Sequence, residues 1–401
     1  MMNRRKLFVT SAAAAAAGTA LAAGREAAAA TINAAKVDPR GHEGIFERLP
    51  SLDLESHHDF LKGGRTWTST SLYRAADKRV QEIFKAQGVD MRAEIPLEQV
   101  IDLVGNDPVV ALTGKAFLDG QYYKFKTLLD EFHGKSDLYL SELETAEKLG
   151  PKLELNPKLD IPAYCKHEIH TQPGGYCSDP FAGYVYHYGT TILNDGRGEQ
   201  DEGHMRSASG APKPADGKVQ RILDLGTGPG QLATSFKKRF PEAEVWGIDV
   251  GAPMVRYAHM RAVDIGVEVH FKQCLAEATG FPDNHFDIIS SYLLHHEMES
   301  DANRAMIKEV QRILRPGGVF YPIDLYSASP PSKQAWDRYR TWWTYRWNGE
   351  HFYLDYGSMG FNDHMRKVGL KVDEKAGPPG SMTAGNYSAM GAARNVVAIK
   401  V

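Results

Sequence analysis

The chain has 401 residues, 42% of them hydrophobic, and a formal net charge of -3. This length allows two domains with separate cores, and the composition is that of a globular protein. Its 47 basic and 50 acidic residues are interspersed, so clusters such as Lys237-Lys238-Arg239 are interpreted as solvated helix faces. The balance excludes a nucleic-acid surface, and no nucleic-acid partner is expected.

The first 35 residues are interpreted as an export leader. Arg4-Arg5 precedes an apolar, alanine-rich run from Val9 to Ala23, with small residues suited to cleavage near Ala22. This pattern resembles a twin-arginine signal, which predicts a periplasmic or secreted protein, with a cytoplasmic one as the alternative. The run is short for a membrane span, so no stable membrane insertion is predicted beyond the leader.

The three cysteines, Cys165, Cys177 and Cys274, form no disulfide framework, although the first two would pair if they were exported and close. Together with His167 and His170, Cys165 and Cys177 faintly resemble a zinc ligand set. The paired C-x-x-C spacing of such sites is absent, so no metal site is predicted.

Residues 36–193 are predicted to form a mostly helical N-terminal cap. Apolar residues recur at helical spacing in five segments, 72–87, 96–104, 109–118, 122–132 and 136–149. After Pro162 the chain becomes rich in glycine, histidine and tyrosine. Residues 194–217 are polar and without periodicity, and they are predicted to be a linker.

From residue 218 to residue 401 the pattern alternates between strands and helices. Strands are predicted near 222–225, 245–249, 267–273, 288–292 and 319–324. Helices are predicted near 231–240, 253–263 and 303–314. Such alternation is typical of an α/β fold, a mostly parallel sheet covered on both faces. Two late strands are expected near 370–373 and 395–401.

A glycine loop follows the first of these strands. The strand ends at Asp224, and the glycines of the loop are Gly226, Gly228 and Gly230. Asp249 ends the next strand, 25 residues after Asp224. Such a loop lets the backbone approach a ligand, and an acid at the next strand end accepts ribose hydroxyls, so a nucleoside-containing cofactor is predicted. The dinucleotide-binding fingerprint would need glycine at position 231, where Gln231 stands. A phosphate-binding loop would need Gly-Lys-Ser/Thr, which is absent, so the loop fits neither motif.

The loop resembles the first motif, D-x-G-x-G-x-G, of the class I S-adenosylmethionine-dependent methyltransferases. Two further blocks, Phe281 to His296 and Val310 to Asp324, resemble the fourth-strand region and the Arg-Pro-Gly-Gly turn with fifth strand of UbiE-like members. The resemblance implies a Rossmann-like, doubly wound sheet with an antiparallel end. It also implies S-adenosylmethionine as the cofactor.

The resemblance also implies a set of cofactor-binding residues. They are Asp224, Gly226, Thr227, Gly228, Gly230, Asp249, Val250, Met254, Leu275, Ala276 and Glu277. One departs from the family pattern, in which an aspartate after the third strand receives the adenine amino group. Leu275 stands there and accepts no hydrogen bond, so the backbone near Ala276 or the carboxylate of Glu277 would have to serve.

A base is needed only when the methyl acceptor must lose a proton. The candidates are His295, Tyr292 and Asp324, which follow or end the fourth and fifth strands. His296 is interpreted as structural, because a Leu-His-His step is common in the family without being catalytic. The segment from His170 to Tyr176, including Gln172, either closes the site or forms an exposed turn.

An aromatic-rich insert occupies residues 327–357, between the fifth and sixth strands of the domain. It is interpreted either as a packed core helix with a loop or as a lid over an acceptor. The predicted function is methyl transfer to a small molecule, by O- or C-methylation of an aromatic or lipid-like acceptor. The alternatives are an exported, non-catalytic ligand-binding protein and a non-methylating enzyme on the same fold. The sequence does not indicate an oligomeric state.

Overall fold

The computed structural model describes residues 42–43, 46–47, 51–193, 201–324, 333–374 and 396–401. The predicted leader lies outside the described residues, as does part of the aromatic insert. No helix in the described part of the chain is long and apolar enough to cross a membrane.

The N-terminal region is mostly helical, as predicted. Its strands are β1 (His42–Glu43), β2 (Phe46–Glu47) and β3 (Leu153–Glu154). Its helices are α1 (Leu52–Trp67), α2 (Tyr73–Ala86), α3 (Leu97–Val104), α4 (Pro108–Gly134), α5 (Ser136–Ala146) and α6 (Ala182–Leu193). A π-helical turn, Thr68–Leu72, joins α1 to α2.

The long helix α4 replaces the two helices predicted over 109–118 and 122–132. It begins at Pro108, and the carboxylate of Asp107 caps it by accepting the amide of Val109 at 3.0 Å. Gly114 and Gly120 lie inside the helix, where each glycine costs only about 1 kcal/mol relative to alanine. Because α1, α2 and α6 all pack on α4, tertiary contacts outweigh that local cost.

The following domain alternates strands and helices up to the insert. Its strands are β4 (Arg221–Leu225), β5 (Glu244–Asp249), β6 (His270–Gln273), β7 (Phe286–Tyr292), β8 (Leu314–Ile323), β9 (Leu370–Asp373) and β10 (Val397–Lys400). Its helices are α7 (Glu202–Gly210), α8 (Gln231–Arg239), α9 (Ala252–Asp264), α10 (Ser300–Ile313), α11 (Ala335–Trp347), α12 (Tyr353–Ser358) and α13 (Phe361–Lys367).

Eight strands form one sheet in the order β3-β6-β5-β4-β7-β8-β10-β9. All pairs from β3 to β8 are parallel, and β10 pairs antiparallel with both β8 and β9. Apolar side chains bury both faces of the sheet in two clusters, one on each side. The predicted fold, a mostly parallel sheet with an antiparallel end and a helical region before it, is confirmed. In such sheets ligands bind at the carboxyl ends of the strands, next to the point where the strand order reverses.

Two segments differ from the prediction. The two-residue strand β3 joins the cap to the sheet edge, and a strand that short has no periodicity to detect. Within the predicted linker, residues 202–210 form α7, which packs on α8. Arg239 on α8 donates to the carbonyl oxygens of Ala208 and Ala211 and so fixes the end of α7.

A buried ion pair anchors the start of α7. Asp201 pairs with Arg261 of α9, and both side chains are almost wholly buried. The other carboxylate oxygen of Asp201 accepts from Gln231 Nε2 at 2.8 Å, and Arg261 Nη1 donates to Thr234 Oγ1 at 3.2 Å. This buried network of polar contacts therefore joins the three helices α7, α8 and α9.

The aromatic insert packs against the cap. Trp336 and Tyr339 of α11 stack with ring centroids 5.4 Å apart and belong to the same apolar cluster as Val80 and Phe84 of α2. Trp336 Nε1 also donates to Asp77 Oδ1 at 2.6 Å. One face of α11 is thus core, which agrees with the first of the two interpretations. Residues of the cap and of the insert both lie at the carboxyl edge of the sheet.

Replacing Asp201 with alanine is expected to lower the free energy of unfolding by about 3–5 kcal/mol, because Arg261 would stay buried without its counter-charge. Urea denaturation followed by circular dichroism measures this change. The matched control is Asp363→Ala, which removes an exposed partner of Arg366 and is expected to cost less than about 1 kcal/mol. Equal, small losses in both variants would contradict the anchoring role of the pair.

Candidate cofactor cleft and the cluster beside it

A cleft lies at the carboxyl ends of β4, β5 and β7, beneath the cap. The glycine loop after β4 and the residues after β5, β6 and β7 form its floor. Cap residues close it from above, among them Tyr164, His170, Tyr176 and Tyr186. The carboxyl edge of the sheet and the cap therefore enclose the place where the glycine loop predicts a nucleoside.

The loop and Asp249 have the geometry that a nucleoside needs. Gly226, Gly228 and Gly230 have φ values of +62°, +50° and +77°, which only glycine adopts without strain. A Cβ added to Gly228 would meet no atom within 4 Å, so the backbone there faces open space. Asp249 accepts the amides of Gly228 at 3.0 Å and Gly251 at 2.9 Å. Its oxygens keep lone pairs for two ribose hydroxyls, which fits the expected cofactor.

Asp224, Thr227 and Gly230 lie behind the loop and not on the cleft surface. Asp224 is 1% exposed, and its Oδ2 accepts from Thr227 Oγ1 at 2.7 Å. Burial raises the pKa of Asp224 to about 7, although the hydrogen bond from Thr227 opposes the rise. Gly230 is the N-cap of α8. These three residues shape the loop, while Gly226, Gly228 and Asp249 face the ligand space.

The predicted adenine side is also assembled on the cleft. All five residues named for it line the cleft: Val250, Met254, Leu275, Ala276 and Glu277. Glu277 Oε1 accepts from Tyr164 at 2.8 Å, and its buried Oε2 has no hydrogen-bond partner among the described residues. A buried acceptor without a donor is costly. The free oxygen of Glu277 is thus available for the adenine amino group, as expected where Leu275 accepts no hydrogen bond.

The structure separates the three candidate bases. Tyr292 lines the cleft, with its ring centroid 4.5 Å from that of His204. His295 does not line the cleft, because its ring lies between Ser291 Oγ at 2.7 Å and Asn303 Oδ1 at 3.2 Å. Burial lowers the pKa of His295 to about 4. Its surroundings make His295 a packing residue of the turn after β7.

Asp324 is a positioning residue in this geometry. It is fully buried directly after β8 and does not line the cleft. Its Oδ2 accepts the backbone amide of His295 at 2.7 Å, and its Oδ1 lies 2.6 Å from Nδ1 of His296. Asp324 thus fixes both the turn after β7 and the orientation of the His296 ring.

His296, which the sequence had led us to interpret as structural, lines the cleft. Burial alone would lower the pKa of His296, but the adjacent Asp324 carboxylate outweighs it and raises the pKa to about 10. Nε2 of His296 points away from Asp324, towards Glu297 at 3.6 Å and Glu350 at 4.0 Å.

His296, Glu297, Glu350 and His170 form one group, which we call the acid–histidine cluster. His170 Nε2 lies 3.3 Å from Glu297, and His170 Nδ1 lies 3.0 Å from Glu350. His170 and Thr171 have φ values of +53° and +61°, a conformation that costs non-glycine residues free energy and often marks functional sites. Three distant segments therefore meet here: the turn after β7, the cap and the insert.

Sequence reasoning missed three of the residues on this surface. Glu297 follows His296 directly, and that adjacency was an available signal. Glu350 lies in the insert without any local pattern, and only the packing of α11 and α12 brings it to the cleft. Lys124 of α4 is 1% exposed and lines the cleft, and burial lowers its pKa well below the usual value.

The segment from His170 to Tyr176 contributes both of its ends to the cleft, whereas Gln172 Nε2 donates to the Gly175 carbonyl at 2.9 Å.

A second cavity lies between α1, α2, α4 and the insert. Aromatic rings line much of it, including Tyr73, Phe117, Trp336 and Trp343. It shares Gln121, His170 and Glu350 with the cofactor cleft. The two spaces therefore meet at the acid–histidine cluster.

Comparison with known proteins identifies the domain around the glycine loop. Residues 222–318 match the family described as "Methyltransferase domain". The ubiquinone/menaquinone biosynthesis C-methyltransferase UbiE of Paraburkholderia xenovorans (strain LB400) is 34% identical over 143 residues, which cover 35% of this chain and 57% of that relative. The chain thus spans just over half the length of the curated relatives it matches.

Solved structures are similar only in part. A putative methyltransferase from Bacillus halodurans C-125 is 21% identical with a TM-score of 0.32, over 44% of this chain and 71% of that one. Haemonchus contortus phosphoethanolamine N-methyltransferase 2, in complex with S-adenosyl-L-methionine, is 17% identical with a TM-score of 0.38, over 54% and 56%. Such low TM-scores carry no conclusion about this chain. The family match over residues 222–318 and the cleft identify a methyltransferase domain in this part of the chain, with S-adenosylmethionine as the expected cofactor.

Replacing Asp249 with alanine is expected to weaken S-adenosylmethionine binding by about 10- to 100-fold, because hydrogen bonds to a charged acceptor contribute about 1.5–3 kcal/mol each. Titration calorimetry measures the affinity. The control is Asp301→Ala, which removes a carboxylate whose side chain is 93% exposed. Unchanged affinity in a folded Asp249→Ala protein would contradict the ribose-binding role.

Proposed function

We propose that this chain transfers a methyl group from S-adenosylmethionine to a small-molecule acceptor. One observation carries the proposal: the cofactor cleft meets a second cavity at the acid–histidine cluster. Such an arrangement provides separate spaces for donor and acceptor and a shared boundary where the methyl group would pass.

Methyl transfer requires little covalent chemistry from the protein itself. Bound S-adenosylmethionine would supply an electrophilic methyl group on a sulfonium, and S-adenosylhomocysteine would leave as the acceptor takes that group. A hydroxyl or carbon acceptor would also release one proton, to a base or to water. The protein holds the two partners in line and excludes water. In this chain the glycine loop and Asp249 would fix the donor, and the cap and insert would cover the reacting atoms.

The lining of the second cavity favours an aromatic acceptor, methylated on oxygen or carbon. Trp343 packs edge-to-face on Phe117 with ring centroids 5.9 Å apart, and both line the cavity. Arg65 lies 4.2 Å above the Phe117 ring, and its buried Nε and Nη1 have no hydrogen-bond partner among the described residues. Arg74 and Arg340 also line the cavity, and aromatic walls with such cations suit a flat acceptor that carries an oxygen substituent.

A non-catalytic ligand-binding protein on the same fold is the second candidate. Leu275, in place of the usual adenine-binding acid, favours it. The two candidates differ in one observable, since only the first releases S-adenosylhomocysteine together with a methylated product.

Incubating the full-length protein with radiolabelled S-adenosylmethionine and a small-molecule extract is expected to label an acceptor. Trp343→Ala should lower labelling by roughly tenfold, because loss of one aromatic wall removes about 1–1.5 kcal/mol of stacking. Its cofactor affinity should not change, since Trp343 is absent from the cleft lining.

Trp347→Ala is the matched control, because Trp347 lies on the same helix, is 49% exposed and lines neither space. Labelling lost equally in both variants would contradict the acceptor cavity. Cofactor binding without any labelled product would favour the ligand-binding protein.

We also propose that the twin-arginine leader exports the folded protein, on the basis of the sequence of residues 1–35. Expression with Arg4→Lys and Arg5→Lys together is expected to leave the protein in the cytoplasmic fraction, whereas the parent reaches the periplasm or medium. Immunoblotting of the fractions measures this. A parent protein found only in the cytoplasm at full length would refute export.

A further inference from the structure

The two histidines of the acid–histidine cluster are oriented alike. In His296, Nδ1 is held by Asp324 at 2.6 Å, which leaves Nε2 facing Glu297 and Glu350. In His170, Nδ1 lies 3.0 Å from both Glu350 Oε1 and Asn348 Nδ2, which leaves Nε2 facing Glu297. Histidines that bind metals usually donate the other ring N–H to a carboxylate in this way. Both Nε2 atoms therefore point into one space.

Two carboxylate oxygens in the cluster have no donor. Oε2 of Glu297 and Oε2 of Glu350 are buried and have no hydrogen-bond partner among the described residues. Glu350 is only 4% exposed, so water does not solvate it freely. Burying an ionised oxygen without a partner is unfavourable, and an unoccupied ion position is one of the accepted reasons for finding it.

The geometry points to a metal site, and we propose that His170, His296, Glu297 and Glu350 bind one divalent transition-metal ion. Ligand atoms of His170, Glu297 and Glu350 all lie within 4.8 Å of one another. Metal–ligand distances of about 2.0–2.2 Å place neighbouring ligand atoms roughly 3–3.5 Å apart. The separation of 3.3 Å between His170 Nε2 and Glu297 Oε1 already meets this, and that of 3.6 Å from His296 Nε2 to Glu297 nearly does.

The charges of the cluster agree with a divalent ion. Glu297, Glu350 and Asp324 bring three carboxylates into a buried space with two histidines. A divalent cation would supply positive charge directly beside these carboxylates, and neutral imidazole is the form in which histidine binds metals.

The ligand types select the metal class. Imidazole nitrogen suits zinc or iron, and the two carboxylates beside it also suit manganese, whereas magnesium and calcium prefer all-oxygen sites. Because the cluster borders both the cofactor cleft and the aromatic cavity, such an ion would favour acceptors with a hydroxyl oxygen, whose pKa a bound cation lowers. Only this preference for hydroxyl acceptors rests on the proposed methyl transfer.

The test is metal binding by the untagged, full-length protein. After treatment with chelator and dialysis, titration calorimetry with Zn²⁺ and Mn²⁺ is expected to show about one site per chain, and Mg²⁺ should bind far more weakly. Mass spectrometry of the reloaded protein measures the metal content independently. Glu350→Gln and His170→Ala should each weaken binding by at least about tenfold.

His133→Ala is the matched control, because His133 pairs with Asp179 on the surface and is 49% exposed. It should keep the parent's metal content. Thermal unfolding of the parent is a second measurement that does not depend on the folding of any variant. Zn²⁺ should raise the unfolding temperature of the parent, and Mg²⁺ should not.

Two results would overturn the metal site. One is a parent that retains no metal after loading and dialysis, and the other is a folded Glu350→Gln protein with the parent's affinity. Either result leaves S-adenosylmethionine binding to be measured separately, so failure of the metal site and failure of methyl transfer are distinguishable.

Discussion

The buried contact between Asp324 and His296 is the interaction on which the site depends. Asp324 stands directly after β8, and its carboxylate holds the backbone of the turn after β7 and the ring of His296 at the same time. Fully buried carboxylates need partners, and Asp324 finds them in this turn. The sheet edge thereby presents a histidine nitrogen to the cleft in a fixed direction. That contact is what orients the His296 ring towards the cap.

The cap and the insert complete what the sheet begins. Parallel strands bring the glycine loop, Asp249 and His296 to one edge, which on its own is open to solvent. His170 from the cap and Glu350 from the insert cover that edge and meet the sheet residues within hydrogen-bonding or ion-pair distance. The packing of α11 on α2 and α3 sets the position of Glu350, although none of these helices lines the cofactor cleft. A polar cluster at the centre is thus supported by apolar contacts at its periphery.

Much of the fold was predictable from the sequence because its signals are local. The alternation of apolar segments gave the order of strands from β4 to β8, and the three glycines with Asp249 marked the cofactor end of the sheet. The predicted fold is confirmed, and the family match covers residues 222–318 of the predicted methyltransferase domain. The roles of the individual cofactor and base residues stay predictions, and the structure adds their positions.

The remaining features depend on contacts between distant segments. The strand β3 has two residues, α7 carries no apolar periodicity, and Glu350 lies in a segment whose pattern is aromatic rather than acidic. His295 and His296 are adjacent and identical in type. The contacts of the His295 ring with Ser291 and Asn303, and of the His296 ring with Asp324, determine that His296 faces the cleft. No pattern within a single segment predicts which of the two histidines faces the cleft.

The most direct measurement is a crystal structure of the full-length protein grown with S-adenosylhomocysteine and Mn²⁺. The ribose is expected on Asp249, with the sulfur directed towards the acid–histidine cluster and metal density between His170 and His296. Adenosylhomocysteine bound outside the cleft, or inside it with the sulfur turned away from the cluster, would contradict the account of how donor and acceptor meet.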